Sequence, residues 1–283
     1  RFNYKGHEDA PGVPIITPEN AEEVAANGCA RSTVKETYEF ILGDLNKAIE
    51  LLANTKKTRS DKRYVSLDVA YGIRARVHLT NYADALKDAE AALASTSSIP
   101  YSSTAVSKPT FIDIEDASWM WGILITDKDR VSTTGICNFP SHMGSLNYGY
   151  ASVGGWRRIS PKLYNQIPES DVRKGWFLDD TGVSVNLPAA AQAYITKKGA
   201  PVYTQVKYGP MNNEWGSNNN ATDVILMRVE EMYLIKAEAQ AMNNDVSGGV
   251  NTLNSFVNTY RDPSYKCTAT TSEAVQEAVW HQL

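Results

Sequence analysis

The chain has 283 residues, of which 42% are hydrophobic and 21% charged, and its formal net charge is −4. This composition is typical of a folded globular protein and excludes a disordered or fibrous one, and the acidic balance removes the electrostatic basis for nucleic-acid binding. The longest strongly apolar run, residues 119–125, is far shorter than the roughly 20 residues that a membrane-spanning helix needs.

The two ends and the cysteines of the chain give limited information. Cys29, Cys137 and Cys267 are too few and too far apart for a disulfide framework, so we expect unpaired thiols. The sequence begins with Arg1 and contains no apolar segment of a targeting signal. It also stops at Leu283 inside a helical pattern, and we therefore expect a fragment that lacks both ends of a longer protein.

The N-terminal part begins irregularly and then becomes helical. Prolines and glycines recur over residues 1–31, which predicts an extended, irregular lead-in. Thr33 and Glu36 form the pattern of a capping box, and apolar residues at helical spacing follow them. The sequence therefore predicts a first clear helix over residues 34–53.

Two further helices are predicted at residues 67–79 and 82–94, joined by a short turn at Asn81. Small side chains at Ala85 and Ala89 would let a neighbouring helix approach closely. This spacing is similar to the second helix of a tetratricopeptide unit.

The C-terminal part repeats this helical pattern. Residues 228–242 and 250–260 are periodic, and residues 243–249 between them predict a turn. A last helix is predicted after Thr270, with Glu273 completing a capping box. Two or three such hairpins are too few for a closed solenoid, so we expect them to pack against the middle segment or against further chain.

The middle segment, about residues 98–226, has little helical periodicity. Residues 119–125 alternate and predict a short strand, and Ser160 followed by a proline predicts the start of a short helix. Residues 138–157 and 208–222 predict long exposed loops. The predicted fold is therefore mainly α, with tetratricopeptide-like helical hairpins and a long loop-rich insertion that carries short strands.

Known catalytic and metal-binding patterns are missing from the sequence. It contains no H-E-x-x-H, G-x-S-x-G, G-x-x-x-x-G-K or G-x-G-x-x-G motif, and its histidines lack the spacing of metal ligands. Adjacent acids such as Glu230 and Glu231 point in different directions, whereas a glycosidase needs two carboxylates facing one bond. We expect no catalytic residue, no metal and no cofactor.

Several ordered segments together resemble the SusD/RagB family of Bacteroidetes, which are outer-membrane glycan-binding lipoproteins. In chain order these segments are GVPIIT, RSTVKETYEFILGDLNKAIELL, AYGIRARVHLTNYADALKDAEAAL, ISPKLYNQIPESDVRKGWF, RVEEMYLIKAEAQAMNN and VNTLNSFVNTYRD. The fourth contains the Asp171 and Arg173 of a short D-x-R pattern. The resemblance covers about residues 1–283, as a single SusD-like domain with helical-repeat parts at 32–95 and 227–283 and a loop-rich ligand-binding part at 96–226.

This resemblance implies a cell-surface subunit that binds oligosaccharide or polysaccharide and delivers it to a SusC-like TonB-dependent transporter. It also implies location in the outer membrane, with membrane contact only through a lipid anchor that this sequence does not contain. The alternative is a helical-repeat scaffold that binds protein or peptide. A third option is an enzyme whose catalytic residues lie outside these residues.

The composition of the two long loops is suited to sugar. Tyrosine and tryptophan rings offer flat area to the apolar face of a pyranose, and asparagine and arginine hydrogen-bond its hydroxyl groups. Trp156 and Trp215 lie in Gly- and Asn-rich sequence with no evident core, which favours an exposed stacking role. The predicted ligand-binding residues are Asn147, Tyr148, Tyr150, Trp156, Arg157, Tyr208, Asn213 and Trp215.

Overall fold

The structure, a computed structural model, describes residues 4–55, 58–133 and 138–283. Helices dominate it, and a single small sheet was found within these residues. The α-helices are α1 (Ala21–Asn27), α2 (Val34–Asn54), α3 (Leu67–Val77), α4 (Tyr82–Ser95), α5 (Ser103–Val106), α6 (Arg130–Thr133), α7 (Phe139–Met143), α8 (Pro161–Tyr164), α9 (Ala189–Lys197), α10 (Val229–Met242), α11 (Val246–Tyr260) and α12 (Ser272–Trp280). The strands are β1 (Trp119–Ile123) and β2 (Val224–Arg228). The predicted mainly helical fold is confirmed.

The predicted irregular lead-in was wrong in one part, because α1 lies within it. The run Ala21–Asn27 contains no proline or glycine, and the turn before it is closed by Thr17 N–H donating to Asn20 Oδ1 at 2.8 Å. Gly28 ends the helix with a φ of 71°, a conformation that glycine adopts at little cost. No residue of α1 is buried, so the helix lacks the apolar face that sequence reasoning depends on.

The start of α2 follows the predicted capping box. Thr33 Oγ1 accepts from Glu36 N–H at 3.1 Å, and the Glu36 carboxylate accepts from Thr33 N–H at 2.8 Å. These two bonds satisfy backbone donors that the first helical turn leaves unpaired.

The two helical parts pack directly against each other, through α4 and α10. Ala85 and Ala89 have no exposed surface and share a core with Met232 and Ala239 of α10. An ion pair between Arg76 of α3 and Glu231 of α10, 2.5 Å long, adds a polar link. Packing against the middle segment was the expectation, and Met120 of β1 does complete this core, but the main neighbour of each hairpin is the other hairpin.

Helix α11 begins four residues earlier than predicted. Asp245 caps it by accepting from Gly248 N–H at 2.9 Å, and Gly248 and Gly249 lie inside the helix rather than in a turn. A Cβ on Gly249 would lie 2.7 Å from the carbonyl oxygen of Ala237, so the glycine permits a close crossing of α11 over α10. The predicted last helix is present as α12, but the predicted capping box is wrong: the cap residue is Thr271, which accepts from Ala274 N–H at 3.2 Å, so Glu273 is not at the capping-box position.

Strands β1 and β2 form an antiparallel pair, with Trp119 opposite Arg228 and Ile123 opposite Val224. The predicted strand at residues 119–125 is confirmed as β1, which ends at Ile123, whereas β2 was not predicted. Trp119 is fully buried, as expected for a strand in a core. The helix predicted after Ser160 is confirmed as α8, with Ser160 Oγ accepting from Leu163 N–H at 3.2 Å.

The segments 138–157 and 208–222 are not the exposed loops that the sequence predicts. Leu146 is fully buried, and the two segments are joined by hydrogen bonds from Gly216 N–H to Leu146 O and from Tyr148 N–H to Ser217 O, both 2.8 Å long. Each segment satisfies backbone groups of the other, which allows both to lie partly in the interior.

Within the described residues, no helix is long and apolar enough to cross a membrane. Cys29 is exposed and Cys267 is buried, and neither forms a disulfide. Cys137 lies outside the described residues.

Candidate functional site

A cluster of exposed aromatic rings lies on the segment from α7 to residue 157. Phe139, Tyr148 and Tyr150 expose 44%, 45% and 44% of their surface. We call the surface formed by these three residues with His142 and Arg157 the aromatic face. Exposed large rings in one short segment are unusual on a soluble surface and indicate a binding role.

The local fold brings Tyr150 back against α7. Asn138 caps this short helix, its side-chain oxygen accepting from Ser141 N–H at 2.8 Å. Ser141 Oγ in turn accepts from Tyr150 N–H at 2.8 Å. The close approach needs Gly149, because a Cβ there would lie 2.8 Å from Ser141 Cα.

Tyr150 lies stacked on His142, with ring centroids 4.9 Å apart and planes inclined by 30°. Gly155 lies against the same tyrosine, since a Cβ on it would be 2.5 Å from Tyr150 Cε1. The ring is therefore held on two neighbours while almost half of the residue remains exposed, which preorganises it for contact with a ligand.

Arg157 supplies hydrogen-bond donors next to this stacked pair. Its Nη2 lies 3.4 Å from His142 Nδ1, and its backbone carbonyl accepts from Gln205 N–H at 2.8 Å. The aromatic face thus combines flat apolar area with a guanidinium group, two features that recognise a sugar ring.

Tyr148 lies close to a cation of its own. The Lys198 ammonium lies 5.7 Å from the ring centroid of Tyr148 and 5.7 Å from that of Tyr194. The Tyr194 hydroxyl donates to the Asn147 carbonyl at 3.2 Å, so α9 supports the backbone beneath Tyr148. Sequence reasoning missed Phe139, His142 and Lys198, because nothing in their local pattern distinguishes them from ordinary surface residues.

Two of the predicted ligand-binding residues lie beneath the aromatic face. Asn147 is buried, and its side-chain amide donates to the side-chain oxygen of Asn220, which links the segments 138–157 and 208–222. Its own Oδ1 is buried without a hydrogen-bond partner among the described residues and lines a cavity of about 10 Å³. Tyr208 lines the same cavity, and its ring packs edge-on against Phe139 with centroids 6.3 Å apart. Burial raises the pKa of Tyr208.

Trp156 and Trp215 have a core to pack against, which corrects the expectation that they lack one. Both are half-buried on an apolar cluster that includes Leu146, Leu178 and Ile195. Ile195 belongs to α9, a helix that the sequence did not predict. The two indoles therefore cover this cluster, and neither is a freely exposed ring.

Asn213, the remaining predicted residue, is exposed at a turn where its φ is 57°. No described contact joins it to the aromatic face. The structure thus joins Tyr150 and Arg157 through His142, leaves Tyr148 exposed two residues before Tyr150, and packs Tyr208 against Phe139 above the buried Asn147 cavity.

The adjacent acids have structural partners. Glu230 is buried and accepts from Tyr101 N–H at 2.9 Å and from the Ser118 hydroxyl at 2.7 Å. Asp179 accepts three hydrogen bonds that close the following turn, and those from Val183 and Thr181 lower its pKa against the effect of burial. Across the described residues, no cluster of three or more histidine, cysteine or acidic side chains could hold a metal ion.

The comparisons with known proteins agree on the fold. Residues 3–79 match the sequence model of a family described as SusD-like_3, starch-binding associating with outer membrane. No curated protein matches the chain.

Three solved structures illustrate the likeness. A SusD-like carbohydrate binding protein from Bacteroides vulgatus is 24% identical, with a TM-score of 0.76 over 99% of this chain and 54% of the other. A SusD superfamily protein from Bacteroides thetaiotaomicron is 20% identical, with a TM-score of 0.67 over 99% of this chain and 58% of the other. Surface glycan-binding protein A from Bacteroides thetaiotaomicron is 16% identical, with a TM-score of 0.62 over 89% of this chain and 59% of the other. The chain therefore spans little more than half the length of these proteins, and the resemblance to SusD-like proteins that the sequence indicated is confirmed.

Proposed function

We propose that this chain, which has the fold of SusD-like proteins and matches their sequence model over residues 3–79, binds carbohydrate through the aromatic face. The observation that carries the proposal is the stacked pair of Tyr150 and His142, exposed beside the guanidinium group of Arg157. Tyr148 extends the exposed aromatic area.

Sugar recognition needs these two kinds of group side by side. The axial C–H groups of a pyranose form an apolar face that packs on an aromatic ring, and its hydroxyl groups lie around the rim. A guanidinium group carries five N–H donors in fixed geometry and can bind two hydroxyl oxygens at once. Because Tyr150 and Arg157 are already held by their neighbours, little conformational entropy is lost on binding.

The role that we propose is binding without bond cleavage. The carboxylate of Glu230, one of the adjacent acids, accepts hydrogen bonds from other residues of the fold. The SusD-like relatives are named for carbohydrate or glycan binding. We further propose that the chain acts at the cell surface, lipid-anchored in the outer membrane, and passes its ligand to a SusC-like TonB-dependent transporter. The description of the matched family as associating with the outer membrane supports the location.

The same proposal divides the chain by role. The loop-rich residues 96–226 would bind ligand, and the helical parts at 32–95 and 227–283 would support them within one SusD-like domain. The support for this division is that the aromatic face lies wholly within 139–157.

A protein- or peptide-binding scaffold is the second candidate, and one observation favours it. A groove of about 410 Å³ runs between α4, α10 and α11, lined by Tyr233, Phe256 and Tyr260 together with polar side chains. Tyr233 and Phe256 are stacked with centroids 5.3 Å apart. A helical groove of this kind suits a peptide.

Affinity electrophoresis through gels containing a panel of polysaccharides distinguishes the two candidates. The wild-type chain should be retarded by at least one glycan, and Tyr148→Ala should reduce that retardation. Tyr64→Ala is the matched control, because Tyr64 is also exposed, at 56%, but lies outside the aromatic face. Normal mobility of the folded wild-type chain in every gel would contradict carbohydrate binding and favour the scaffold.

A further inference from the structure

A large groove lies between α8, with the segment that follows it, and helix α12, and none of its lining residues belongs to the aromatic face. Its volume is about 610 Å³, and its walls are mainly apolar, including Leu163, Ile167, Trp176, Phe177 and Trp280. Leu163 and Trp280 expose 49% and 58% of their surface. A groove of this size accommodates a small ligand rather than a few water molecules.

One cation lining this groove lacks a charged partner. Lys207 is half-buried, and its ammonium lies 5.0 Å from the ring centroid of Tyr208, 5.2 Å from that of Trp176 and 5.6 Å from that of Phe111. Within the described parts of the chain it forms no ion pair with a carboxylate. The three rings stabilise the cation only in part, because a ring quadrupole is weaker than a full negative charge.

The charge that acts on Lys207 belongs to another cation. Arg228 also lies over the Phe111 ring, 5.0 Å from its centroid. Burial, and secondarily the charge of Arg228, lower the pKa of Lys207 from 10.5 to about 8. A negative charge brought next to Lys207 would therefore relieve a real electrostatic cost.

The other two charged side chains that line the groove, Asp171 and Arg173, pair with each other. Arg173 binds Asp171 at 2.6 Å and also donates to the Gln282 side chain at 2.7 Å. Arg261, buried behind them, donates to the Gln282 side chain at 3.1 Å and has no carboxylate within ion-pair distance among the described residues. Lys207 is therefore the charged side chain of this groove that lacks a counter-ion among the described residues.

We propose that this groove binds a carbohydrate that carries a carboxylate, such as a uronic acid unit, with the carboxylate paired to Lys207 and the sugar ring against the aromatic walls. The sugar part of this inference rests on the proposed carbohydrate-binding function, whereas the carboxylate part rests on the unpaired ammonium. Charge complementarity selects the acid, since a neutral sugar would leave Lys207 uncompensated in a partly desolvated groove.

The test is calorimetric titration at pH 6.5 with a trisaccharide of galacturonic acid and with its fully methyl-esterified form, in which each carboxylate is replaced by an uncharged methyl ester. The wild-type chain should bind the acid at least tenfold more tightly than the ester. Lys207→Met, which keeps the length of the apolar stem, should reduce the affinity for the acid to that for the ester. Lys87→Met is the matched control, because Lys87 is exposed on α4 far along the chain from the groove, and it should leave both affinities unchanged.

Three results would overturn the proposal. The first is equal affinity of the acid for wild type and Lys207→Met, and the second is equal affinity of acid and ester for wild type. The third is binding of triglutamate as tight as that of the acidic trisaccharide, which would assign the groove to acidic peptide. If Tyr150→Ala weakens binding of the acidic trisaccharide and Lys207→Met does not, the result supports the aromatic face as the carbohydrate site and contradicts the groove inference. If only Lys207→Met weakens binding, and Tyr150→Ala changes the affinity for no glycan, the result supports the groove inference and contradicts the aromatic face as a carbohydrate site.

Discussion

The imidazole of His142 supports the phenol ring of Tyr150 from one side, at a centroid distance of 4.9 Å, and lies 3.4 Å from the guanidinium of Arg157. His142 therefore contacts both groups that the proposed carbohydrate site needs. It is the residue that joins the exposed Tyr150 and the half-buried Arg157 into one surface.

His142→Ala should accordingly weaken glycan binding without unfolding the protein. Loss of one aromatic contact is worth about 0.5–1.5 kcal/mol, so we expect a reduction in affinity of roughly three- to tenfold. The double variant with Tyr150→Ala should lose less affinity than the sum of the two single losses, because the imidazole acts in part through the tyrosine. Calorimetry with the glycan that retards the wild-type chain most would measure the affinities of the single and double variants. Full additivity of the two single losses in the double variant would contradict a shared role of His142 and Tyr150.

Trp215→Ala should affect stability rather than binding. The indole covers the cluster of Leu146, Leu178 and Ile195, and its truncation exposes that cluster to water. We expect the free energy of unfolding to fall by about 1–3 kcal/mol, less than for a fully buried tryptophan. Urea unfolding and glycan affinity should be measured on the same preparation. A strong loss of glycan affinity at unchanged stability would contradict this prediction and support the stacking role that the sequence context of Trp215 predicts.

An element can be predicted from the sequence when it is determined by interactions between residues close together in the chain. Helices α2, α4 and α10 are predictable from apolar periodicity, and α2 also from its capping box, because their faces are set by residues three or four apart. Strand β2 exists because it pairs with β1, about a hundred residues earlier, and α9 is an alanine-rich stretch without a clear amphipathic face. Such long-range partners leave no local pattern.

The candidate site shows the same limit. Tyr148 and Tyr150 were identified from residue type and loop context, and the structure places both at the surface. The predicted exposed role of Trp156 rested on the lack of a neighbouring core, and α9 supplies that core. Nothing local to Lys207 indicates the three rings around it, since Phe111 and Trp176 reach it only in the fold.

Ala89→Leu should destabilise the junction of the two helical parts. Ala89 has no exposed surface, and α10 packs directly against α4, so extra volume forces the helices apart. Overpacking of this kind typically costs about 1–3 kcal/mol. Ala83→Leu, an exposed position on the same helix, is the control and should change the melting temperature little. Equal melting temperatures for the two variants would mean that the α4–α10 contact tolerates the added volume.

Lys207 should make stability depend on pH in a defined direction. Its pKa is about 8 in the folded chain and 10.5 as the ordinary value, so between these values the unfolded state binds more protons and stability rises with pH. Lys207→Met should be more stable than wild type at pH 7, and this advantage should shrink by about 1 kcal/mol at pH 9. Urea unfolding at the two pH values measures it. Tyr208, whose pKa is raised by burial, titrates above this window. An advantage that stays constant from pH 7 to pH 9 would show that Lys207 keeps an ordinary pKa.

Titration of the wild-type chain and of Tyr150→Ala with a glycan oligosaccharide, followed by calorimetry, tests carbohydrate binding at the aromatic face most directly. Tyr150 is 44% exposed, and its truncation leaves the buried anchor Ser141 in place. We predict that Tyr150→Ala lowers the affinity at least thirtyfold, a loss of about 2 kcal/mol, while Tyr64→Ala binds as wild type does. Equal affinities for wild type, Tyr150→Ala and Tyr64→Ala, with all three chains folded, would contradict the assignment of the aromatic face as the carbohydrate site.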